Sequence, residues 1–211
     1  MEGDTPHASR RPRLVVGISG ASGVIYGARL LELLRPLPVE THLVVSRSAE
    51  VTLALETELK VADLRARADV VHPIGDLAAS ISSGSFPTLG MIVAPCSVRT
   101  MGEIATGVTT TLLTRAADVT LKERRRLVLM LRETPLHTGH LRTMTALSEM
   151  GAIIAPPVPA FYAKPGSIDE MIDQTLGRML DLFGIDAGVV RRWGEAPEPG
   201  ERPLRAKPRP S

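Results

Sequence analysis

The sequence has few of the residues that stabilise secreted proteins, and it has no long apolar run. Cys96 is the single cysteine among 211 residues, so no disulfide can form within the chain. A single cysteine is typical of a reducing compartment. No uninterrupted apolar run approaches the length of a membrane span, and the N-terminus lacks the apolar core of a signal peptide. We therefore expect a soluble, cytoplasmic protein without a membrane span.

Aromatic residues are also scarce, and the charges nearly balance. Aromatics make up 3% of the chain against 44% hydrophobic residues, so the core must consist mainly of aliphatic side chains and methionine. The formal net charge of +2 is too small to indicate a nucleic-acid partner. Many arginines lie near the two ends of the chain, where we interpret them as parts of solvated tails.

The composition predicts one ordered domain between two tails. Residues 1–12 carry charge and proline without periodicity, and residues 195–211 hold five prolines among charges. Such composition is typical of disorder. We predict a disordered tail over 1–12, a single domain over 13–193 and a Pro/Arg-rich tail over 194–211.

Apolar runs alternate with helical patterns along this domain. The runs predict buried strands over 14–19, 41–46, 91–95, 127–131 and 152–155. The helical patterns cover 24–34, 48–58, 98–105, 110–123, 138–150 and 168–182. This alternation predicts an α/β fold: a three-layer, Rossmann-like, doubly wound parallel sheet. Ligands bind beyond the carboxyl ends of the strands in such folds.

A glycine-rich loop follows the first strand, with the sequence GISGASG over residues 17–23. The order strand, small-residue loop, helix places unpaired N–H groups and a positive dipole end where an anion can sit. The spacing is not the dinucleotide pattern G-x-G-x-x-G. Ser22 either caps the following helix and also contacts a phosphate, or is only the cap of that helix.

Hydroxyl groups follow the next two strands. Ser46 stands where a dinucleotide site usually has an acidic residue for the ribose, which indicates a different ligand. Ser97 and Thr100 flank the start of the helix after the third strand. We interpret Cys96, between them and that strand, as a small buried side chain, because no histidine near it in sequence indicates nucleophilic chemistry.

Further phosphate-capable groups follow the last two strands. Arg132 can bind a phosphate through two hydrogen bonds and Glu133 can transfer a proton, although these residues alone favour a surface ion pair. Tyr162 lies in a proline-braced loop, and Arg178 lies in the last helix. These groups exceed the needs of one phosphate, so we infer two anionic groups, one on a cofactor and one on a substrate.

The sequence does not predict a metal site. His137 and His140 lack a matching second pair of ligands, and we interpret them as residues of a helix start. The sequence has no Asp-rich pair of the kind that binds magnesium and diphosphate, which favours a monophosphate substrate.

The chain as a whole resembles the UbiX family of flavin prenyltransferases over about 180 residues. The matching segments are collinear and comprise GISGASG (17–23), THLVVS (41–46), LALET (53–57), SGSF (83–86), APCS (94–97), RAADV (115–119), LKERR (121–125), RETP (132–135) and PPVPAFY (156–162). Thr110 and Thr111 depart from the acidic or amide residue and the following Asn or Gly that family members commonly have there.

The resemblance implies an enzyme that binds reduced FMN and needs no metal. Its reaction would join a dimethylallyl group from dimethylallyl monophosphate to N5 and C6 of the flavin. The product, prenylated FMN, would serve a UbiD-type decarboxylase, and the name of the family points to ubiquinone biosynthesis. The resemblance further implies a dodecamer with active sites at subunit junctions.

Site residues follow from the resemblance by motif. The FMN contacts would be Gly20, Ala21, Ser22, Ser46, Ser97, Thr100 and Arg132. The prenyl-phosphate contacts would be Lys122, Tyr162 and Arg178, with Arg132 and Glu133 close by. The catalytic groups would be Ser22, Glu56, Lys122, Arg132 and Glu133, with Ser22 and Glu56 moving a proton during ring closure. Periodicity alone predicts only an exposed helix residue at Glu56 and a solvated charge run at Lys122.

Two other functions remain open at this point. One is a flavin-dependent cysteine decarboxylase, although the loop after the third strand lacks the Ser-Ala-Asn sequence usual in that group. The other is a non-catalytic FMN-binding subunit of an aromatic-acid decarboxylase.

Overall fold

The computed structural model describes residues 11–194, and they form an α/β fold around one parallel sheet. The strands are β1 (Arg13–Ile18), β2 (Glu40–Val45), β3 (Val70–His72), β4 (Gly90–Cys96), β5 (Arg126–Leu131) and β6 (Ile153–Ile154). The helices are α1 (Val24–Leu34), α2 (Arg47–Glu56), α3 (Val61–Arg65), α4 (Val98–Ala105), α5 (Leu112–Lys122), α6 (Thr138–Glu149) and α7 (Ile168–Asp181). Short 3-10 turns cover Ser80–Ser82 and Phe161–Ala163.

The sheet has the strand order β3-β2-β1-β4-β5-β6, and every neighbouring pair is parallel. This order reverses direction between β1 and β4, which is the arrangement of a Rossmann-like sheet. The expectation of a doubly wound parallel sheet is therefore confirmed. Ligand-binding crevices in such sheets open at the carboxyl ends of the two strands where the order reverses.

Helices cover both faces of the sheet, and two glycines show which helix lies on which face. A Cβ added to Gly27 of α1 would overlap the Ile18 side chain and the Ala94 carbonyl. A Cβ added to Gly17 would touch Leu113 of α5. Because consecutive residues of a strand point to opposite faces, Gly17 and Ile18 place α1 and α5 on opposite sides. This confirms three layers.

The described residues divide into two compact units, one ending at Pro157 and the other beginning at Val158. The first unit holds the whole sheet and α1 to α6, whereas the second holds the turn Phe161–Ala163 and α7. The predicted tails, 1–12 and 194–211, lie outside the described residues except for positions 11, 12 and 194. Within residues 11–194, no helix is long and apolar enough to cross a membrane.

Candidate active site

The ends of β1 and β4 are tied together by one buried hydroxyl group. The Ser19 hydroxyl donates to the Pro95 carbonyl over 2.9 Å and accepts the Ser97 N–H over 2.8 Å, and Ser19 is fully buried. A buried hydroxyl with both partners satisfied fixes the backbone around it. The loop after β1 and the start of α4 therefore hold a set spacing at the point where the strand order reverses.

The start of α1 already carries an anion, and that anion is the Glu56 carboxylate. Its Oε2 accepts the Gly23 N–H over 2.8 Å and the Val24 N–H over 3.1 Å. The expectation of unpaired N–H groups at this helix start is thus wrong for both residues. The expectation that Ser22 caps the helix is also wrong, because Gly23 is the N-cap, at φ 94°, and has no side-chain bond. The Ser22 hydroxyl donates to Glu56 instead.

Hydrogen bonds keep Glu56 ionised. Partial burial raises the pKa of this carboxyl, but the bonds from Ser22, Gly23 and Val24 outweigh burial, and the charge of Arg132 acts in the same direction. The net effect holds the pKa of Glu56 below its usual range. Glu56 is therefore a carboxylate near neutral pH and can receive a proton through the Ser22 hydroxyl. Hydrogen bonds thus join Glu56, the last residue of α2, to the loop after β1.

Two further helices begin at the same edge, each capped by a serine. The Ser46 hydroxyl accepts the Ala49 N–H at the start of α2 over 3.1 Å. The Ser97 hydroxyl accepts the Thr100 N–H at the start of α4 over 3.2 Å and donates to the Thr100 hydroxyl over 3.1 Å. Helix N-termini with hydroxyl caps favour a phosphate group, because the dipole and the orphan N–H groups both attract an anion. The starts of α2 and α4 can therefore accept an anion, whereas the start of α1 is occupied by Glu56.

Two adjoining cavities open at this edge of the first unit. One has a volume of ≈ 540 Å³ and is lined in part by Ser46, Ser97, Thr100 and Thr111. The other has a volume of ≈ 400 Å³ and is lined by Gly20, Ala21, Ser22, Ser48, Ser97, Val98, Arg99, Arg132 and Glu133. Ser48, Ser97 and Arg99 line both, so the cavities share a wall. Each has the size of a small-molecule site.

Arg132 and Glu133 follow β5 and lie on the wall of the second cavity, both exposed. The Arg132 N–H donates to the Cys96 carbonyl over 3.0 Å, which fixes its backbone beside the end of β4. Glu133 accepts the Thr134 N–H over 3.0 Å. Within the described residues the two side chains make no ion pair with each other, so the surface-pair interpretation is not what the structure has. Burial raises the pKa of Tyr26, and the Arg132 charge opposes that rise, as it also helps to lower the pKa of Glu56.

Lys122 does not join these residues within one chain. It is the last residue of α5, whose other end begins after Thr111 at the first cavity. The 11 residues of α5 separate its ends by about 16 Å. Lys122 therefore lies toward the amino edge of the sheet, where it pairs with Glu123 beside Gly84.

The second unit holds the other two predicted contacts. Tyr162 lies in the turn Phe161–Ala163, and its phenol oxygen accepts a bond from the Gln174 amide over 3.3 Å. Arg178 lies in the last turn of α7 and pairs with Asp181, which also takes a two-point contact from Arg192 at 2.9 and 3.0 Å. These contacts hold the pKa of Asp181 below its usual range, with the Arg192 bond as the largest cause.

The cysteine and the two histidines that the sequence singles out lie in structural surroundings. Cys96 is fully buried, and burial raises the pKa of its thiol to about 12. Residues 11–194 contain no group of three potential metal ligands. His137 caps α6 through its Nδ1, and its ring stacks on that of His140. Both histidines are thus at a helix start, as the sequence indicates.

Sequence reasoning missed Ser19 and Ser48, which shape the loop after β1. A Cβ at Gly20 would overlap Ser48 at the start of α2, so this glycine allows the close approach of the loop to α2. Thr111 caps α5 through a reciprocal bond with Thr114, so the departure from the family pattern keeps a capped helix. Ser19 could have been found from its position between a buried strand and the glycine loop, but Ser48 has no such signal.

This arrangement defines a class of protein, a Rossmann-like α/β protein with two adjoining cavities at the strand ends. A family model described as Flavoprotein matches residues 2–193. Flavin prenyltransferase UbiX of Escherichia coli K12 is 60% identical over 184 residues, which cover 86% of this chain and 97% of that protein. The chain belongs to the UbiX family of flavin prenyltransferases.

Solved structures agree with this assignment. A crystal structure of AnUbiX (PadA1) in complex with FMN and dimethylallyl pyrophosphate has 54% identity and a TM-score of 0.87, covering 89% of this chain and 100% of that one. A dodecameric FMN-dependent UbiX-like decarboxylase from Escherichia coli O157:H7 has 49% identity and a TM-score of 0.84, covering 87% and 100%. The predicted family, fold and cofactor class are confirmed.

Proposed function

We propose that this protein transfers a dimethylallyl group from dimethylallyl monophosphate to reduced FMN and releases prenylated FMN and phosphate. The observation that carries this proposal is the pair of adjoining cavities, one beside two capped helix N-termini and the other beside Arg132 and the Ser22–Glu56 pair. One cavity supplies an anion seat, and the other supplies a cation together with a proton acceptor.

The donor set fits a flavin mononucleotide. Ser46, Ser97 and Thr100 offer hydroxyl and N–H donors for one phosphate. Gly20 and Ala21 line the second cavity with little side-chain bulk, as a flat ring system requires. When bound, reduced FMN supplies N5 and C6, the two atoms that bond to the five-carbon group.

The chain's own groups assist departure of the donor phosphate. Cleavage of the allylic C–O bond leaves the electron pair on the phosphate oxygen, and Arg132 stabilises that charge. Lys122, Tyr162 and Arg178 are proposed to bind the same phosphate, and Glu133 to exchange a proton with it. Ser22 passes the flavin proton released at ring closure to the Glu56 carboxylate, which its hydrogen bonds keep ionised.

Under this proposal, Lys122 contributes to the active site of a neighbouring copy of this chain and not to that of its own chain. Its place at the amino edge of its own sheet, across the length of α5, supports that assignment. We infer a homo-oligomer, a dodecamer like the UbiX-like relative, with sites completed at subunit junctions. Co-expression of Lys122→Ala and Glu56→Gln chains should restore activity that each lacks alone. Absence of any recovery in mixed oligomers would contradict the shared site.

The main test is the mass of the flavin. Purified protein with reduced FMN and dimethylallyl monophosphate, without oxygen, should yield flavin heavier by one five-carbon unit. Unchanged flavin mass would favour the non-catalytic accessory subunit. Dimethylallyl pyrophosphate, which occupies the AnUbiX structure, is the matched second donor. We further propose that the protein works in the cytoplasm, where a reducing environment preserves reduced flavin, and that a UbiD-type decarboxylase receives the product.

Arg178 provides a second test, because its proposed contact is with the donor alone. Arg178→Ala should raise the KM for the prenyl donor by about tenfold, the loss of one charge-assisted contact, while FMN binding stays near that of the wild type. Equal effects on both ligands would show that Arg178 does not belong to the donor phosphate.

A further inference from the structure

Gln174 is a buried amide in the second unit whose hydrogen-bonding atoms are all engaged. It lies on α7 and is 3% exposed. Its Nε2 donates to the Arg191 carbonyl over 3.1 Å and to the Tyr162 phenol oxygen over 3.3 Å, and its Oε1 accepts the Arg191 N–H over 2.8 Å. An amide has two N–H donors, and both are used here.

The polarity of this amide is set by the backbone of Arg191. The N–H of Arg191 needs an acceptor and its carbonyl needs a donor, so the Gln174 amide can take only one orientation. Its second N–H must then face Tyr162. The phenol oxygen is consequently an acceptor from Gln174, and its own hydrogen is left to donate elsewhere.

The segment that carries Arg191 is itself held close to α7. A Cβ on Gly177 would overlap Val190, so the glycine allows the segment to lie against the helix. The Arg191 guanidinium also donates to the Ala163 carbonyl over 3.0 Å, beside Tyr162 in the same turn. Three bonds and one close approach thus fix the position of the amide relative to the phenol.

We infer that Gln174 is a positioning residue for the prenyl-phosphate site, because it makes the Tyr162 hydroxyl a donor that points away from α7 toward an anionic ligand. This inference builds on the proposed function, in which Tyr162 binds the donor phosphate. A hydroxyl that accepts one hydrogen bond is a stronger donor in the next. Tyr162 is 40% exposed, so its oxygen is accessible to a ligand.

The decisive variant is Gln174→Glu, which keeps the shape and the acceptor for the Arg191 N–H. The oxygen that replaces Nε2 has at most one hydrogen: when protonated, as burial favours, it donates to the Arg191 carbonyl, and when ionised it has none. In both states it accepts the Tyr162 hydrogen and turns the hydroxyl away from the ligand. We expect the KM for dimethylallyl monophosphate to rise about tenfold, the loss of one hydrogen bond to a charged group. The Kd of FMN should stay the same.

The companion variant Gln174→Met separates positioning from stability. It removes every bond of the amide but leaves the Tyr162 hydroxyl free to donate. We expect a larger drop in melting temperature than for Gln174→Glu and a smaller rise in donor KM. If Gln174 had a purely structural role, Gln174→Met would show both the larger drop in melting temperature and the larger rise in donor KM. That result would overturn the inference. If Gln174→Met fails to fold, Gln174→Glu decides alone.

The Tyr162→Phe background completes the cycle. Gln174→Glu should have no further effect on donor KM there, because no hydroxyl remains to be turned. An undiminished effect in this background would refute the positioning role. If Tyr162→Phe raises KM but Gln174→Glu does not, only this inference fails. If Tyr162→Phe leaves KM unchanged, the proposed donor contact is wrong, and this inference falls with it.

Discussion

Exchange of Glu56 for glutamine should slow prenyl transfer while leaving FMN bound. In the wild type, Oε2 accepts hydrogen bonds from the Gly23 and Val24 N–H groups, and the carboxylate also accepts one from the Ser22 hydroxyl. A glutamine oxygen in the place of Oε2 can keep both backbone bonds. The charge disappears, and the amide cannot receive a proton from Ser22. The variant therefore removes the proton acceptor with little change in shape.

The two effects of this change differ greatly in size. Loss of the negative charge at a helix start costs about 0.3–1 kcal/mol of stability, which lowers the melting temperature by at most roughly 2–4 °C for a chain of this size. Loss of a general base costs roughly a hundredfold to ten-thousandfold in rate. The catalytic loss should therefore far exceed what a small loss of stability explains.

The pH dependence of stability gives an independent check. The folded-state pKa of Glu56 lies below its usual value, so its contribution is complete above the unfolded pKa of about 4.3 and is lost as pH falls through the folded pKa. The stability difference between wild type and Glu56→Gln should therefore be present near neutral pH and shrink in acid.

The assay is anaerobic single turnover, with the flavin product resolved by mass, beside FMN titration and urea unfolding. Glu58→Gln is the matched control, because this exposed acid lies just beyond α2. It should behave as the wild type in all three measurements. Turnover of Glu56→Gln within about twofold of the wild type would refute the proton-acceptor role, which requires a far larger loss. If FMN affinity fell in parallel with the transfer rate, Glu56 would have only the structural role of capping α1.

Two further substitutions test the anion seat and the packing beneath it. Ser97→Ala should lower the free energy of unfolding by about 1 kcal/mol and weaken FMN binding about tenfold. Ser167→Ala, which removes the equivalent cap of α7, should cost similar stability and leave FMN binding unchanged. Equal effects of the two variants on FMN binding would contradict an anion site at the start of α4. Gly27→Ala should destabilise the protein by about 1–3 kcal/mol in urea unfolding, because the added Cβ overlaps the Ala94 carbonyl. Gly102→Ala, in an open helical position, should stabilise it by about 0.5–1 kcal/mol. Unchanged stability of Gly27→Ala would contradict the close approach of α1 to the sheet.

The elements with strong periodic signals were predictable, and the short ones were not. Four strands of the sheet, β1, β2, β4 and β5, match buried apolar runs, because a parallel strand covered on both faces needs apolar residues throughout. The run over 152–155 also located β6, although this strand has two residues that are only half-buried. The sixth, β3, has three residues, none fully buried, and so shows no such run. Helix α3 has five residues and lacks the length that reveals a period.

The site residues that directly follow strands were predictable, whereas those that rely on contacts between residues far apart in sequence were not. Ser46 and Ser97 follow strands, and topology alone brings strand ends together. Glu56 lies at the far end of α2 and bonds to a backbone 33 residues earlier, a contact that no local pattern encodes. Lys122 follows the family motif, yet its own helix carries it to the opposite edge.

The carboxylate at the start of α1 also bears on which coenzymes this fold accepts. In Rossmann enzymes that use NAD or FAD, the bridging diphosphate rests on the first helix. Here the Glu56 carboxylate occupies that position at the N-terminus of α1 with a fixed negative charge. A two-phosphate bridge would meet electrostatic repulsion there, whereas a coenzyme with one phosphate, seated at other helices, would not. One acidic side chain thus disfavours a bridging diphosphate at this helix without any change of backbone topology.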